Sequence, residues 1–513
     1  MQEDFLRNWA LQVPDRPAVI VDGLESVSFA ELDRRSTDVA RRLRGAGLRD
    51  GDVIAMLMPN NARTIEIWWG ARRAGVYYVP LSTRLTPDEL AYLIDDSEAR
   101  LLVSSADLTS LATDALGKTA TGKCRLVTDD LLELDLVNAE AASTPLAIGR
   151  EIIYSSGTTG RPKGIKRPLA TMAQSLELPP FETILRAHFK LREGIRFLLP
   201  SPLYHAMGRF ANRAIEVGGT AVILTGFDPE ASLAAIERHR VTHSLWVPTM
   251  FNRLLALAPD VRDAYDLSSH RFALHAAAPC RVPVKRAMID WWGPIVHEFY
   301  GGSENAGVTF IRAEDWLNRP GSVGRALIGR LHILDEDSED ELPIGETGMI
   351  YFEGGVPYHY IDGTPARIST SGHGSYGDLG WVDEDGFLFI SDRRDDLIIV
   401  GGVNVSPLEI EELFATHPAV ADIAVVGVPH DDFGQQIVAV VVAATNVSGD
   451  AALAAELLDL PKDRLASSKW PRSVLFLPEL PRNEHGKLLK RVLRSGILAD
   501  PLSCWPPIAL PAA

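Results

Sequence analysis

The sequence predicts an α/β protein. It has a large amino-terminal domain of parallel-rich sheets with flanking helices, a β-rich stretch, and a small α+β domain at the carboxy-terminal side. Three observations carry this. Strand-length apolar runs alternate with helical patterns through most of the chain. Hairpin signals take over near residue 345. A shorter unit with its own apolar strands begins after residue 394. A chain of 513 residues also exceeds one ordinary core, so at least two domains are expected.

The elements follow in order. "VIAMLM" (53–58) is a buried strand. "NARTIEIWWGARRAG" (61–75) has helical spacing, with Asn first and Gly last, and "YYVPL" opens the next strand. "TAVIL" (220–224), "PEASLAAIERHR" (229–240) and "HSLWVP" (243–248) repeat the scheme. Strand, helix, strand at this spacing means βαβ units and a parallel sheet. "GETGMIYFEG" and "GWVDEDGFLFISDRR" read as hairpins, the second turning at Asp385–Gly386. The small unit has a strand at 397–400, a Gly-Gly turn, a helix at 408–416 and strands at 423–428 and 437–443. These features predict a large domain over 1–391, a charged connection at 392–395, a small domain over 396–500, and a loose Pro-rich tail at 501–513.

Composition narrows the function. The net charge of −17 argues against a general binder of nucleic acid or anionic membrane. Three scattered cysteines, Cys124, Cys280 and Cys504, form neither a disulfide framework nor a zinc pattern. Met1 is followed by Gln2, Glu3 and Asp4, not by a basic and then apolar leader, and no apolar run is long enough to cross a bilayer. The expectation is a cytoplasmic protein.

The densest chemistry is "IYSSGTTGRPKGIK" (153–166). Ser155, Ser156, Thr158 and Thr159 supply hydroxyls, Gly157 and Gly160 supply open backbone, and Lys163 supplies a charge. Such a loop suits a polyphosphate. A surface turn is built from the same residues. The spacing is not that of a Walker A loop.

"YSSGTTGRPKG" resembles the phosphate loop of the adenylate-forming superfamily, and six further segments resemble that family's motifs in its order. They are "PLYHAMG", "YGGSENAG", "GSVGR", "YGDLGWVDEDG", "DRRDDLIIVGGVNVSPLEIE" and "PRNEHGK", and together the seven cover about 152–487. The stretch 243–294 is similar to bacterial acyl-CoA synthetases of the fatty-acid–CoA ligase group. The resemblance implies ATP-dependent activation of a carboxylic acid as its acyl-adenylate with release of pyrophosphate, then transfer to CoA. Transfer to an amine, or to a carrier-protein pantetheine, uses the same first step. A nucleotide-binding pseudo-enzyme is the reading from another class, and the intact motifs argue against it.

The resemblance also implies roles. ATP phosphates fall to the 155–163 loop, and Mg2+ to Glu304. Ser303 stands where the family usually has Thr. Tyr300, Gly301 and Gly302 belong to the same motif. Asp378 and Arg393 fall near the ribose, and Ala277, Ala278 and Pro279 on the adenine-facing turn, with Ala276 where Gly is common. Lys487 is the adenylation lysine, carried by a mobile small domain that swings about Asp395. Gly401 and Gly402 approach the pantetheine of CoA. His205 lines the acid-to-CoA route, or is a satisfied core residue. The walls of the acid pocket are expected at 205–210, 246–249 and 275–278. Arg209 and Arg213 there are read as surface or phosphate-side charges, or as contacts to a polar group of the acid.

Overall fold

A computed structural model describes residues 4–132, 134, 145–155, 162–171, 174, 177–355, 358–393, 397–400, 403–430, 433–462, 464–482 and 488–508. The helix expected at 61–75 is Ala62–Ala74. Asn61 accepts the backbone N–H of Thr64 through its side chain, and Gly75 closes the helix at φ +72°. A left-handed closing residue costs Gly nothing sterically, which is why the helix stops there. Asn61→Ala removes the cap, and a loss of about 1 kcal/mol is expected by chemical denaturation.

Two sheets carry most of the large domain's described strands, beside two small sheets of three and two strands. In the first, Tyr77–Leu81, Val53–Leu57, Leu101–Ser104 and Arg125–Thr128 pair in parallel in that order. In the second, six parallel strands run in the order Pro17–Val21, Thr220–Ile223, Arg196–Leu199, His243–Trp246, Phe272–His275 and Val296–Gly301. It continues antiparallel through Val308–Ile311, Ser322–Ile328 and Leu388–Arg393 into Gly374–Val382 and Gly348–Glu353. The hairpin expected in "GWVDEDGFLFISDRR" is the pairing of the two strands Gly374–Val382 and Leu388–Arg393, whose turn Asp383 caps at the backbone N–H of Asp385 and Phe387.

The small domain pairs Val420–His430 with Gly434–Ala443 over ten residue pairs, with Ser473–Phe476 added in parallel. Its helix Pro407–Phe414 packs under that sheet. The expected loose tail is not found as far as Ile508. Cys504 and Ile508 are buried in the small domain's second core, and Trp505 bridges to Val474. A short apolar segment without periodicity gives no signal of this docking. Across the domains, Arg281 lies 3.6 Å from Asp422, which also accepts from Arg482 at 2.8 Å.

Candidate active site

The candidate site is built on the turn that joins strands Val296–Gly301 and Val308–Ile311. The hydroxyl of Tyr300 donates to the Oδ2 of Asp378 at 2.6 Å. Asp378 is only 4% exposed and stands opposite Arg393 in the register of two antiparallel strands. Residues 78 apart in sequence thus share one polar cluster, at the position where the ribose is expected.

Glu304 is held from two sides. Tyr360 donates to its Oε1 at 3.1 Å, and Arg167 donates to the neighbouring carbonyl of Ser303. Lys163 Nζ lies 5.5 Å from the centre of the Tyr360 ring. Tyr376 clamps the far end of the turn: its hydroxyl donates to the Gly307 carbonyl at 2.7 Å and accepts the Gly307 N–H at 3.0 Å. Gly302 is required by space, because a Cβ there would stand 2.5 Å from the Tyr376 ring and 2.7 Å from Glu304 Oε2.

Charge around this turn is dominated by buried arginines. Burial lowers the Arg167 guanidinium to about 10, with Arg209 adding to the effect. Burial alone would raise Glu151, but Arg209, Arg150 and Arg167 outweigh it and hold the carboxyl at about 2. Burial, with Glu304 next, pushes the Tyr360 phenol upward. Tyr360 therefore stays a neutral donor to Glu304.

At the two edges of the segment expected to take the phosphates, Ser155 pairs with Lys163 in antiparallel strands. Ser156, Gly157, Thr158, Thr159 and Gly160 lie outside the described residues, as do Gly401, Gly402, Asp395 and Lys487. The turn expected to face adenine follows strand Phe272–His275, and Ala277 adopts φ +74°. A left-handed Ala costs roughly 1–2 kcal/mol, so its neighbours must hold it there.

His205 stacks edge-on against Tyr204 (4.6 Å between centroids) and lines a cleft of about 1930 Å³. The cleft's opposite wall includes Asp422, Pro481, Arg482 and Lys490 of the small domain, whereas Glu304 and Asp378 do not line it. Of the expected pocket walls, Trp246 and His275 are sealed in the core, while Val247 and Thr249 line the cleft with His205. Arg209 and Arg213 are not surface charges: Arg209 lies 3.0 Å from Glu151, and Arg213 donates twice to Glu182 at 2.7 and 3.1 Å. Tyr360 and Arg167 were not foreseen. Tyr360 sits in "YHYIDG", a segment without a motif, and Arg167 follows the phosphate motif by three residues; neither carried a sequence signal.

The donor set fits a magnesium nucleotide. Among the described residues no group of three His, Cys, Asp or Glu side chains gathers to cage a metal. One carboxylate beside a phosphate loop suits Mg2+, which takes few protein ligands and completes its shell from phosphates and water. No helix among the described residues is long and apolar enough to cross a membrane.

Comparison with known proteins agrees with this geometry. The family described as AMP-binding enzyme matches residues 6–356, and its carboxy-terminal domain family matches 409–487. A feruloyl-CoA synthase of Amycolatopsis sp is 32% identical over 507 residues, covering 96% of this chain and 99% of that protein. ATP-bound MatB from Rhodopseudomonas palustris superposes with a TM-score of 0.82 at 30% identity, covering 97% and 99% of the two chains. The amide bond synthetase McbA from Marinactinospora thermotolerans superposes at 0.78 with 27% identity, covering 96% and 99%. A chain matched by both domain families, over nearly its whole length by relatives and around a tyrosine-held carboxylate pair, belongs to the AMP-binding enzyme family.

Proposed function

We propose that this protein is an AMP-forming acid–CoA ligase. A carboxylate oxygen of the acid attacks the α-phosphorus of ATP, the bond to the bridging oxygen breaks, and pyrophosphate leaves. The thiol of CoA then attacks the acyl carbon and AMP departs. The observation that supports this best is the convergence of Lys163, Tyr360 and Glu304 beside the Tyr300–Asp378 pair.

Each residue has a physical task. Lys163 and the loop from Ser155 neutralise the outer phosphates. Glu304 would hold Mg2+, which shields the phosphate charge as it shifts toward the leaving group. Arg167 and Tyr360 fix the turn that carries Ser303 and Glu304, so that the carboxylate need not reorganise during reaction. Asp378 accepts from the ribose hydroxyls, with Arg393 on the facing strand. Lys487 neutralises the acid and the α-phosphate as charge develops between them. His205 borders the cleft through which the acceptor arrives, and Gly401 and Gly402 border the pantetheine. We assign 1–391 to the large domain, 392–395 to the hinge and 396–508 to the small one.

The test is a panel of aryl, short-chain and fatty acids with ATP and Mg2+, scored for pyrophosphate release. Active acids are then run with CoA or simple amines. A CoA thioester from at least one acid is expected, and no pyrophosphate from any acid overturns the reading. The likeness to McbA favours a second reading, transfer to an amine, and an amide product without a thioester selects it.

A further inference from the structure

A charged cluster lies in the core behind the turn that is read as adenine-facing, and the mechanism above does not use it. Lys285 is 0% exposed, and its Nζ donates to Glu298 Oε2 at 2.6 Å. The ammonium also sits 4.8 Å from the centre of the Trp316 ring. His275, equally buried, places its Nε2 3.5 Å from the same carboxylate oxygen and packs edge-on against Phe251.

Such a cluster is poor at adding stability. Two charges lose their hydration, and an apolar set of equal volume often does as well. Burial pushes the Lys285 ammonium down and the Glu298 carboxyl up. His275 is driven well below its usual range, first by burial and then by Lys285, so its ring is neutral.

Its placement suggests a task. His275 is the last residue of the strand that enters the turn, and Lys285 lies on the helix Val282–Trp292 that leaves it. Glu298 pairs in register with His275 on the next strand. Two residues later, on the same face of that strand, Tyr300 reaches Asp378. Glu298 therefore ties the helix leaving the turn through the Lys285 bond, and its backbone pairs the strand entering the turn at His275, so both ends of a turn whose Ala277 is held left-handed meet the strand that carries Tyr300.

We propose that Lys285, Glu298 and His275 are positioning residues: they lock the 276–279 turn and Tyr300 in one geometry, so that the nucleoside half of ATP binds a preformed site. This rests on the reading that the turn and Asp378 take the adenosine. It concerns neither the acid nor the metal.

The experiment uses the full chain and AMP alone, by isothermal titration calorimetry, with thermal melting as a separate readout. Three variants are compared: Lys285→Met with Glu298→Leu, the isosteric Glu298→Gln, and Asp378→Asn. The apolar double variant is expected to stay folded and to bind AMP roughly tenfold more weakly, the size of effect one misplaced contact produces. Glu298→Gln is expected to lose affinity in the same direction, which keeps the test decisive should the double variant not fold. Adding Ala277→Gly, which relieves the left-handed strain, is expected to restore part of the lost affinity; a purely structural role would not respond to it. If Asp378→Asn weakens AMP while the folded cluster variants bind it as the unaltered protein does, the inference is overturned and the functional reading stands. If Asp378→Asn leaves AMP binding intact, the functional reading itself is overturned.

Discussion

Replacing Lys487 by alanine is expected to lower the rate of pyrophosphate release by ~10²–10³-fold while changing ATP affinity by no more than about threefold. The two effects separate because the ammonium matters most when the acid oxygen and the α-phosphate share growing negative charge. On the proposed assignment the ground-state triphosphate would already be neutralised elsewhere, by Lys163 and by a cation held at Glu304. Methyl in place of ammonium therefore raises the barrier and barely alters binding, the pattern of an interaction made chiefly in the transition state. The segment carrying Lys487 springs from the small domain, between Arg482 and Leu488, which bridge in antiparallel fashion. Single-turnover pyrophosphate release and ATP titration measure the two quantities. An unchanged rate removes Lys487 from the chemistry.

Glu304→Gln is the second large effect. The amide keeps the shape and still accepts from Tyr360, so the turn is preserved; what disappears is the negative charge. A Mg2+ ion bound by one carboxylate, water and phosphates loses its only anionic protein ligand on this assignment. The expected result is a rate lowered by ~10²-fold at low Mg2+, recovering partly as Mg2+ is raised, with a higher half-saturating concentration. A Mg2+ titration of pyrophosphate release checks it. A parallel fall at every Mg2+ concentration would assign Glu304 to shape rather than to the metal. Together the two variants separate the role proposed for Lys487 from that proposed for the metal.

Much of the fold was legible because its signals are local. The helix at 61–75 was bounded by its own caps, Asn61 and Gly75, and these are the residues that end it. The strands at 53–58 and 220–224 announced themselves as short, nearly continuous apolar runs, as strands buried on both faces do. The small domain's paired strands extend further than their apolar cores, to Val420–His430 and Gly434–Ala443, because ladder hydrogen bonds continue where side chains turn polar. The docked segment at Cys504–Ile508 was missed for the opposite reason: a few apolar residues among prolines have no period to read.

The site divides in the same way. Glu304, Asp378, Tyr300 and Lys163 were named from contiguous motifs, because a phosphate loop or a glycine-flanked acid is written in about ten residues. Tyr360 on Glu304 and Arg167 on Ser303 join residues 56 and 136 positions apart. Lys285, Glu298 and His275 look like ordinary members of a helix and two strands until the sheet register brings them together. By itself the sequence determined the alternation of elements, the ends of the capped helix at 61–75 and the chemical kinds of residue set aside for a nucleotide. Only the tertiary structure decided which of them touch and which charges are stripped of water, because register and packing sum over the whole chain and local pattern does not.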